Sequence, residues 1–198
     1  LAFISPMAPH GSWTWTCRPL LPVLAICSLI LMSSCTQEPV FEEKDTVYKV
    51  GDQQDWASNN WDDDGWQKRL KYVPDGQVFW SRTKIEVLIA REALRPYGIM
   101  LQVYGEYEVF WDGELIGKNG NPGQEELLGP EGKLWATFSI PSHLAEKGEH
   151  LLALRTSLYH FPDHSGIDEL KLDYYDDLLT DTVIKSSYMH LYAGAFLI

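Results

Sequence analysis

An Asp-Gly pair at positions 112 and 113, set between the runs YEVFW and ELIG, constrains this chain more than any other feature. A two-residue type I′ turn needs positive φ at both central residues, which Asp and Gly tolerate, so the pair predicts a tight antiparallel hairpin. The turn fixes the register: Trp111 stands opposite Glu114, Phe110 opposite Leu115 and Val109 opposite Ile116. Apolar pairs then fall on both faces. Such a hairpin belongs inside a domain, and only its tip, with Trp111, Asp112 and Glu114, is expected to reach water. The following GKNGNPGQ, rich in Gly and Asn, cannot continue a strand and is expected as a loop.

The flanking chain repeats the β pattern. FWSRTKIEVLIA (79–90) alternates, with Trp80, Arg82, Lys84 and Glu86 on one face and Phe79, Ser81, Thr83, Ile85, Val87 and Ile89 on the other. YGIMLQVYG (97–105), LWATFSIP (134–141) and HLLALRTSLY (150–159) are rich in aliphatic, β-branched and aromatic residues and mostly bounded by Gly or Pro. Between the last two, SHLAEKG is expected to make one helical turn, capped by Ser142 and stopped at Gly148. Six or so short strands separated by turn signals predict an all-β domain of the sandwich type.

The first 35 residues carry a different chemistry. They hold no Asp or Glu, one cation at Arg18, and an apolar run from Leu20 to Met32 that suits a signal-peptide core and is too short to span a membrane. Leu1 is not a usual start residue, so Met7 is a candidate start. The run ends in LMSSC, which resembles a bacterial lipobox and makes Cys35 the expected lipid attachment site. An ordinary cleaved signal, or an uncleaved anchor helix in which Cys35 is incidental, is the alternative. All 3 cysteines precede residue 36, so the remaining domain cannot rest on disulfides and must bury a core. Beyond Cys35 lie all 28 acidic residues and 15 of the 16 basic ones. That excess of negative charge excludes binding along a phosphate backbone, and no nucleic-acid partner is expected. Residues 36–46, polar and aperiodic, read as a tether, and the domain is expected over 47–182.

The runs YEVFWDGELIGKNGNPG and LWATFSIPSHLAEKGEHLLALRT together resemble the galactose-binding-like jelly roll. In that fold a V-x-x-N/D-G-x-x-I/V-G hairpin precedes an I-P-x-x-L-x-x-G-x-x-x-L/I-A-L/V-R strand. Two groups share the pattern: the sugar-binding domain of β-galactosidase-type glycoside hydrolases, and the extracellular sensor domain of bacterial seven-transmembrane receptors with diverse intracellular signalling modules. The resemblance covers about residues 47–180 and includes GWQKRL and FWSRTKIEV, which match the sensor pattern. Asp112 stands where Asn is commoner, which keeps the turn and alters any amide-mediated ligand contact. The resemblance implies an all-β jelly-roll sandwich. At the chain end SSYMHLYAGAFLI turns apolar, and residues 186–198 are expected to begin a transmembrane helix cut off by the end of the sequence. A final buried strand or helix is the alternative.

Motifs for catalysis are missing: there is no nucleophile motif, phosphate loop or HExxH, so no catalytic residue and no cofactor is expected. WDDDGW (61–66) groups three carboxylates but lacks the alternating ligand spacing of a calcium loop, and it is expected to be a solvated acidic loop. HFPDHSGID (160–168) holds His160, Asp163, His164 and Asp168, and reads as a polar loop; no metal is expected. Arg82 and Arg155 lie within apolar strands and must pair with carboxylates or carbonyls, the expected role being to staple sheet to loop. Trp80, Trp111 and Trp135 are candidates for stacking on a sugar, Trp111 foremost because it adjoins the turn. The candidate ligand-binding set is Trp80, Arg82, Trp111, Asp112, Arg155 and His160.

The expectation is an extracytoplasmic domain in the cell envelope, membrane-anchored through Cys35 and the C-terminal segment, sensing a small-molecule ligand such as a carbohydrate for a signalling receptor. By resemblance the output is a histidine kinase, ahead of a diguanylate cyclase or a phosphatase. The alternatives are the N-terminal carbohydrate-binding domain of a secreted or lipid-anchored glycoside hydrolase, and a stand-alone sugar-binding lipoprotein.

Overall fold

The computed structural model describes residues 41–89, 95–123, 132–158 and 166–195, all within the compact unit that begins at Pro39. Among the described residues eight strands carry the fold: β1 Phe41–Val50, β2 Val78–Val87, β3 Tyr97–Val103, β4 Glu106–Trp111, β5 Glu114–Asn119, β6 Trp135–Ser139, β7 Gly148–Ser157 and β8 Ile167–Tyr174. A helix, α1 Tyr175–Ala195, follows β8. The strands form a five-stranded sheet in the order β1-β2-β7-β4-β5 and a three-stranded sheet in the order β6-β3-β8. All neighbours are antiparallel. After β2 the chain crosses between sheets at every connection except the β4–β5 hairpin, which is jelly-roll winding.

The alternation read from β2 sets the layers. Ile85 and Val87 join Ile99, Leu101, Tyr107, Val109, Trp111, Leu152 and Leu154 in the core between the sheets. Trp80 and Val78, on the opposite face, are also buried, because the long β1–β2 connection folds back and lays Trp56, Ala57 and Trp66 over them with Phe110 and Ala153. Trp56 meets Trp66 and Trp80 edge to face, while Phe110 stacks on Trp80. Such contacts stabilise beyond the area they bury. On the other side, α1 packs across all three strands of the smaller sheet. Leu178 and Met100 have no exposed surface there, and Lys171–Asp181 and Lys185–Glu169 pair at the helix margins. The sandwich therefore lies between an aromatic flap and a helix.

Several elements depart from the sequence reading. Residues 41–46, expected as tether, are the first half of β1, and β8 was not foreseen. The helical turn at Ser142–Leu144 is a 3-10 turn in which Pro141 holds the cap position and no side chain caps it. The helix expected from residue 186 begins at Tyr175, within the stretch assigned to the domain, and carries Asp176, Asp177, Asp181 and Lys185. Among the described residues no helix is long and apolar enough to cross a membrane. Cys35 lies outside the described residues, as does the span 196–198.

Candidate functional site

The hairpin turn is of the expected type: φ is +51° at Asp112 and +87° at Gly113. Trp111 pairs with Glu114 and Phe110 with Leu115, but Val109 faces Gly117, leaving Ile116 as a bulge. The extra residue turns Ile116 toward the inter-sheet core, while Leu115 stays 44% exposed because β5 is a sheet edge. The hairpin is thus buried along the whole of β4, whereas on β5 only Ile116 packs on the core and Asn119 is buried. Trp111 does not reach water: it has no exposed surface, and its indole N–H donates to the Leu144 carbonyl at 3.0 Å. Stacking on a ligand is closed to it.

Asp112 is the hub of the tip. Its backbone N–H donates to the Leu151 carbonyl and its Oδ1 accepts from the Leu151 N–H at 2.8 Å, so the turn is tied to β7. Oδ1 also accepts from Asn59 of the flap at 3.0 Å, and Oδ2 from His150 Nδ1 at 2.6 Å. His150 Nε2 in turn faces the Glu146 carbonyl at 2.8 Å. A carboxylate and a carbonyl can only accept, so the ring satisfies both contacts only with a proton on each nitrogen. His150 is therefore an imidazolium in this geometry. The Asp112 hydrogen bond raises its pKa above 6.5 against the opposing effect of burial. For Asp112 burial pushes upward, but the bonds from His150, Leu151 and Asn59 outweigh it and the carboxyl lies below 3.8.

Arg82, 3% exposed, does what a strand arginine between sheet and loop is expected to do. Nη1 donates to the carbonyls of Trp56 at 2.5 Å and Ser58 at 2.9 Å, Nη2 to that of Trp61 at 3.2 Å, and Nε to Asp63 at 3.4 Å. The flap backbone is thereby fastened to β2. Asp63 belongs to WDDDGW, so that loop is not simply solvated; its Asp62 accepts the Asp64 N–H in a local turn. Among the described residues no three acidic, His or Cys side chains gather to hold a metal.

Where the flap meets β2 and β7 lies a cleft of about 160 Å³, lined by Asn59, Arg82, Lys84, Glu149, His150 and Leu151. Of the predicted set, Arg82 lines it and Asp112 bonds two of its walls. Trp80 is fully buried in the aromatic layer. Trp135 is half-buried and bonded to Gln102. Arg155 lies elsewhere on the sheet, clamping Asp52 with two 2.7 Å bonds and reaching Glu108 and the Pro122 carbonyl. His160 lies outside the described residues. His150, Asn59 and Lys84 were missed as site residues. Lys84 stood on the right face of β2 in the sequence, whereas His150 opened a strand with nothing local to mark it. A second cleft of about 210 Å³ runs between the β3–β4 turn, Leu134 and Met189, with mainly apolar walls and fewer convergent polar groups.

No protein-family model matches the chain, and no curated protein does. Among solved structures it is similar to a glycosyl hydrolase family 2 member from Bacteroides cellulosilyticus, at 15% identity and TM-score 0.46, over 68% of this chain and 20% of that one. It is also similar to Bacteroides uniformis β-glucuronidase 2 (12%, TM-score 0.44, 67% and 18%). A third is a β-glucosidase from Kluyveromyces marxianus in complex with glucose (14%, TM-score 0.37, 69% and 16%). The chain spans a fifth or less of each of these proteins, and no activity follows from similarities of this extent.

Proposed function

We propose that the sandwich is a small-molecule recognition domain, presented on the extracytoplasmic side of a cell envelope, that serves as the sensor of a membrane signalling receptor. The cleft between the flap and strands β2 and β7 carries this reading. It brings convergent polar groups, a histidine with a raised pKa and three separate chain segments to one concavity, which is how binding sites are built. Its volume is well under the ~300 Å³ at which drug-sized pockets begin, so the ligand is about one sugar ring in size rather than a polymer. The receptor assignment, with a histidine kinase as output, rests on the sensor-like motifs GWQKRL and FWSRTKIEV. It is supported by α1, which lies along the smaller sheet with Val183, Ile184, Tyr188 and Leu191 exposed on its outer side, an apolar surface on which a further element would pack. An accessory sugar-binding role in a glycoside hydrolase shares the cleft and differs in what α1 leads to.

The test is a thermal-shift screen of the full chain against monosaccharides and small sugar acids. A ligand at 100 times its Kd adds about 2.7 kcal/mol, a readily measured rise in Tm. The rise should vanish in Asn59→Trp, which plugs the exposed lip of the cleft. A rise that survives this change would place recognition elsewhere and overturn the assignment.

A further inference from the structure

The overall charge of the chain is negative, yet the cleft is not. Three of its lining residues are cationic: Arg82, Lys84 and the His150 imidazolium. Only Glu149 opposes them, and it is already engaged. Glu149 stands opposite Glu86 across the β2–β7 pair, and Lys44 of β1 clamps both, at 2.9 Å to Glu86 and 3.5 Å to Glu149. Asp112 is engaged by His150, Asn59 and Leu151, and Asp63 by Arg82. Each of these carboxylates is therefore in direct contact with a cation, although Lys44 is shared by two of them, and the one cation of the group without a direct contact is Lys84. Among the described residues Lys84 has no hydrogen-bond or ion-pair partner.

We infer that the cleft takes a small ligand bearing one carboxylate, which docks on the Lys84 ammonium with the imidazolium of His150 and the guanidinium of Arg82 behind it. The inference rests on the reading of this cleft as the ligand site. One free ammonium matches a single negative charge. Arg82 has little more to offer, since Asp63 and the three flap carbonyls take four of its five N–H donors. The negative charge spread over the rest of the surface opposes this weakly, because screening acts within about 8 Å at physiological salt. It does exclude polyanions, whose charges would extend past the cleft. The uncontacted ammonium and the net charge thus select together for a small monoanion. Neutral sugars lose the stacking platform the sequence implied, since Trp80 and Trp111 are both fully buried.

The experiment is an NMR and calorimetric titration of the ¹⁵N-labelled full chain with D-glucuronate and with D-glucose, which share a ring and differ in the carboxylate. Glucuronate is expected to shift the amides of Asn59, Lys84 and Leu151 and to bind at least about tenfold more tightly than glucose, as a charge-assisted contact implies. Lys84→Met should erase the difference while leaving the folded spectrum intact, because the side chain it removes has no partner. Equal shifts of those amides by both sugars, unchanged in Lys84→Met, would overturn the carboxylate inference and leave the cleft as a binding site. If neither sugar moves those amides, the cleft reading itself falls, and the inference with it.

Discussion

Arg82 shows how one side chain positions a whole layer. The flap that covers Trp80 has little regular structure, so its carbonyls at Trp56 and Trp61 have no ladder to pair with and the guanidinium supplies their donors, while that of Ser58 accepts from both the guanidinium and the Trp61 N–H. Arg82→Met keeps the aliphatic stem and strands the Trp56 and Trp61 carbonyls together with Asp63. Each buried unmet group costs about 1–3 kcal/mol, so a loss of about 3 kcal/mol or more in urea unfolding is expected. Faster amide exchange over 56–67 should accompany it. A loss under 1 kcal/mol would mean the flap is held by its tryptophans alone. His150 makes the second residue-scale case. Around it stand Asp112, Lys84, Arg82, Glu149 and the Glu146 carbonyl. Its pKa is raised on folding, so its stabilising contribution is complete below about 6.5, the unfolded value, and is lost as pH climbs through the folded value. Asp112, lowered on folding, contributes above 3.8 and loses that contribution as pH falls through its own folded value. The stability of wild type minus that of His150→Gln should therefore shrink with rising pH above 6.5. A difference that stays flat from there to alkaline pH would deny the imidazolium.

At the scale of elements, the β4–β5 hairpin separates what sequence reveals from what it conceals. Its turn was legible because the demand is local: positive φ at two successive residues is met by Asp-Gly. The bulge at Ile116 was not, because it answers to packing across the sandwich. A Cβ on Gly117 would sit 2.2 Å from the Phe138 ring of β6, whereas one on Gly113 would meet nothing nearer than 3.6 Å. The two glycines thus fail differently. Gly113→Val should cost about 2 kcal/mol or more through backbone strain alone. Gly117→Ala should cost about 1–3 kcal/mol through overpacking. Adding Phe138→Leu should recover part of the second loss and none of the first, read as urea midpoints; equal recovery of both would refute the distinction. The same contrast explains the other misses. β1 looked like a tether because FEEKDT is charged, as an edge strand with exposed side chains is permitted to be. The flap had no period to read, since Trp56 and Trp66 are buried by irregular chain. In the cleft, Arg82 was legible from its place in an apolar strand, but Asp112 and His150 are 38 residues apart and only the β4–β7 pairing joins them.

For the whole molecule, the sensor proposal needs both ends of the chain to act on the same body. If lipid on Cys35 is the only anchor, Cys35→Ser should release the protein from membranes in a fractionation, and retention would direct attention to α1. That helix is where the sandwich would hand on a signal, so its attachment has to be firm. The pairs Lys171–Asp181 and Lys185–Glu169 are partly exposed and are worth at most about 1 kcal/mol each. Leu178, with no exposed surface, decides the matter. Leu178→Asp would bury an unpaired carboxylate, and a loss of more than about 3 kcal/mol is expected, with amide protection falling in β3, β6 and β8. Val183→Asp, five residues on and 65% exposed, should change stability by no more than about 0.5 kcal/mol. Were the two variants equally mild, α1 would be an appendage resting on the sheet. A ligand in the cleft would then have no rigid path to whatever follows the helix, since only an element whose position differs between two states can carry the bias.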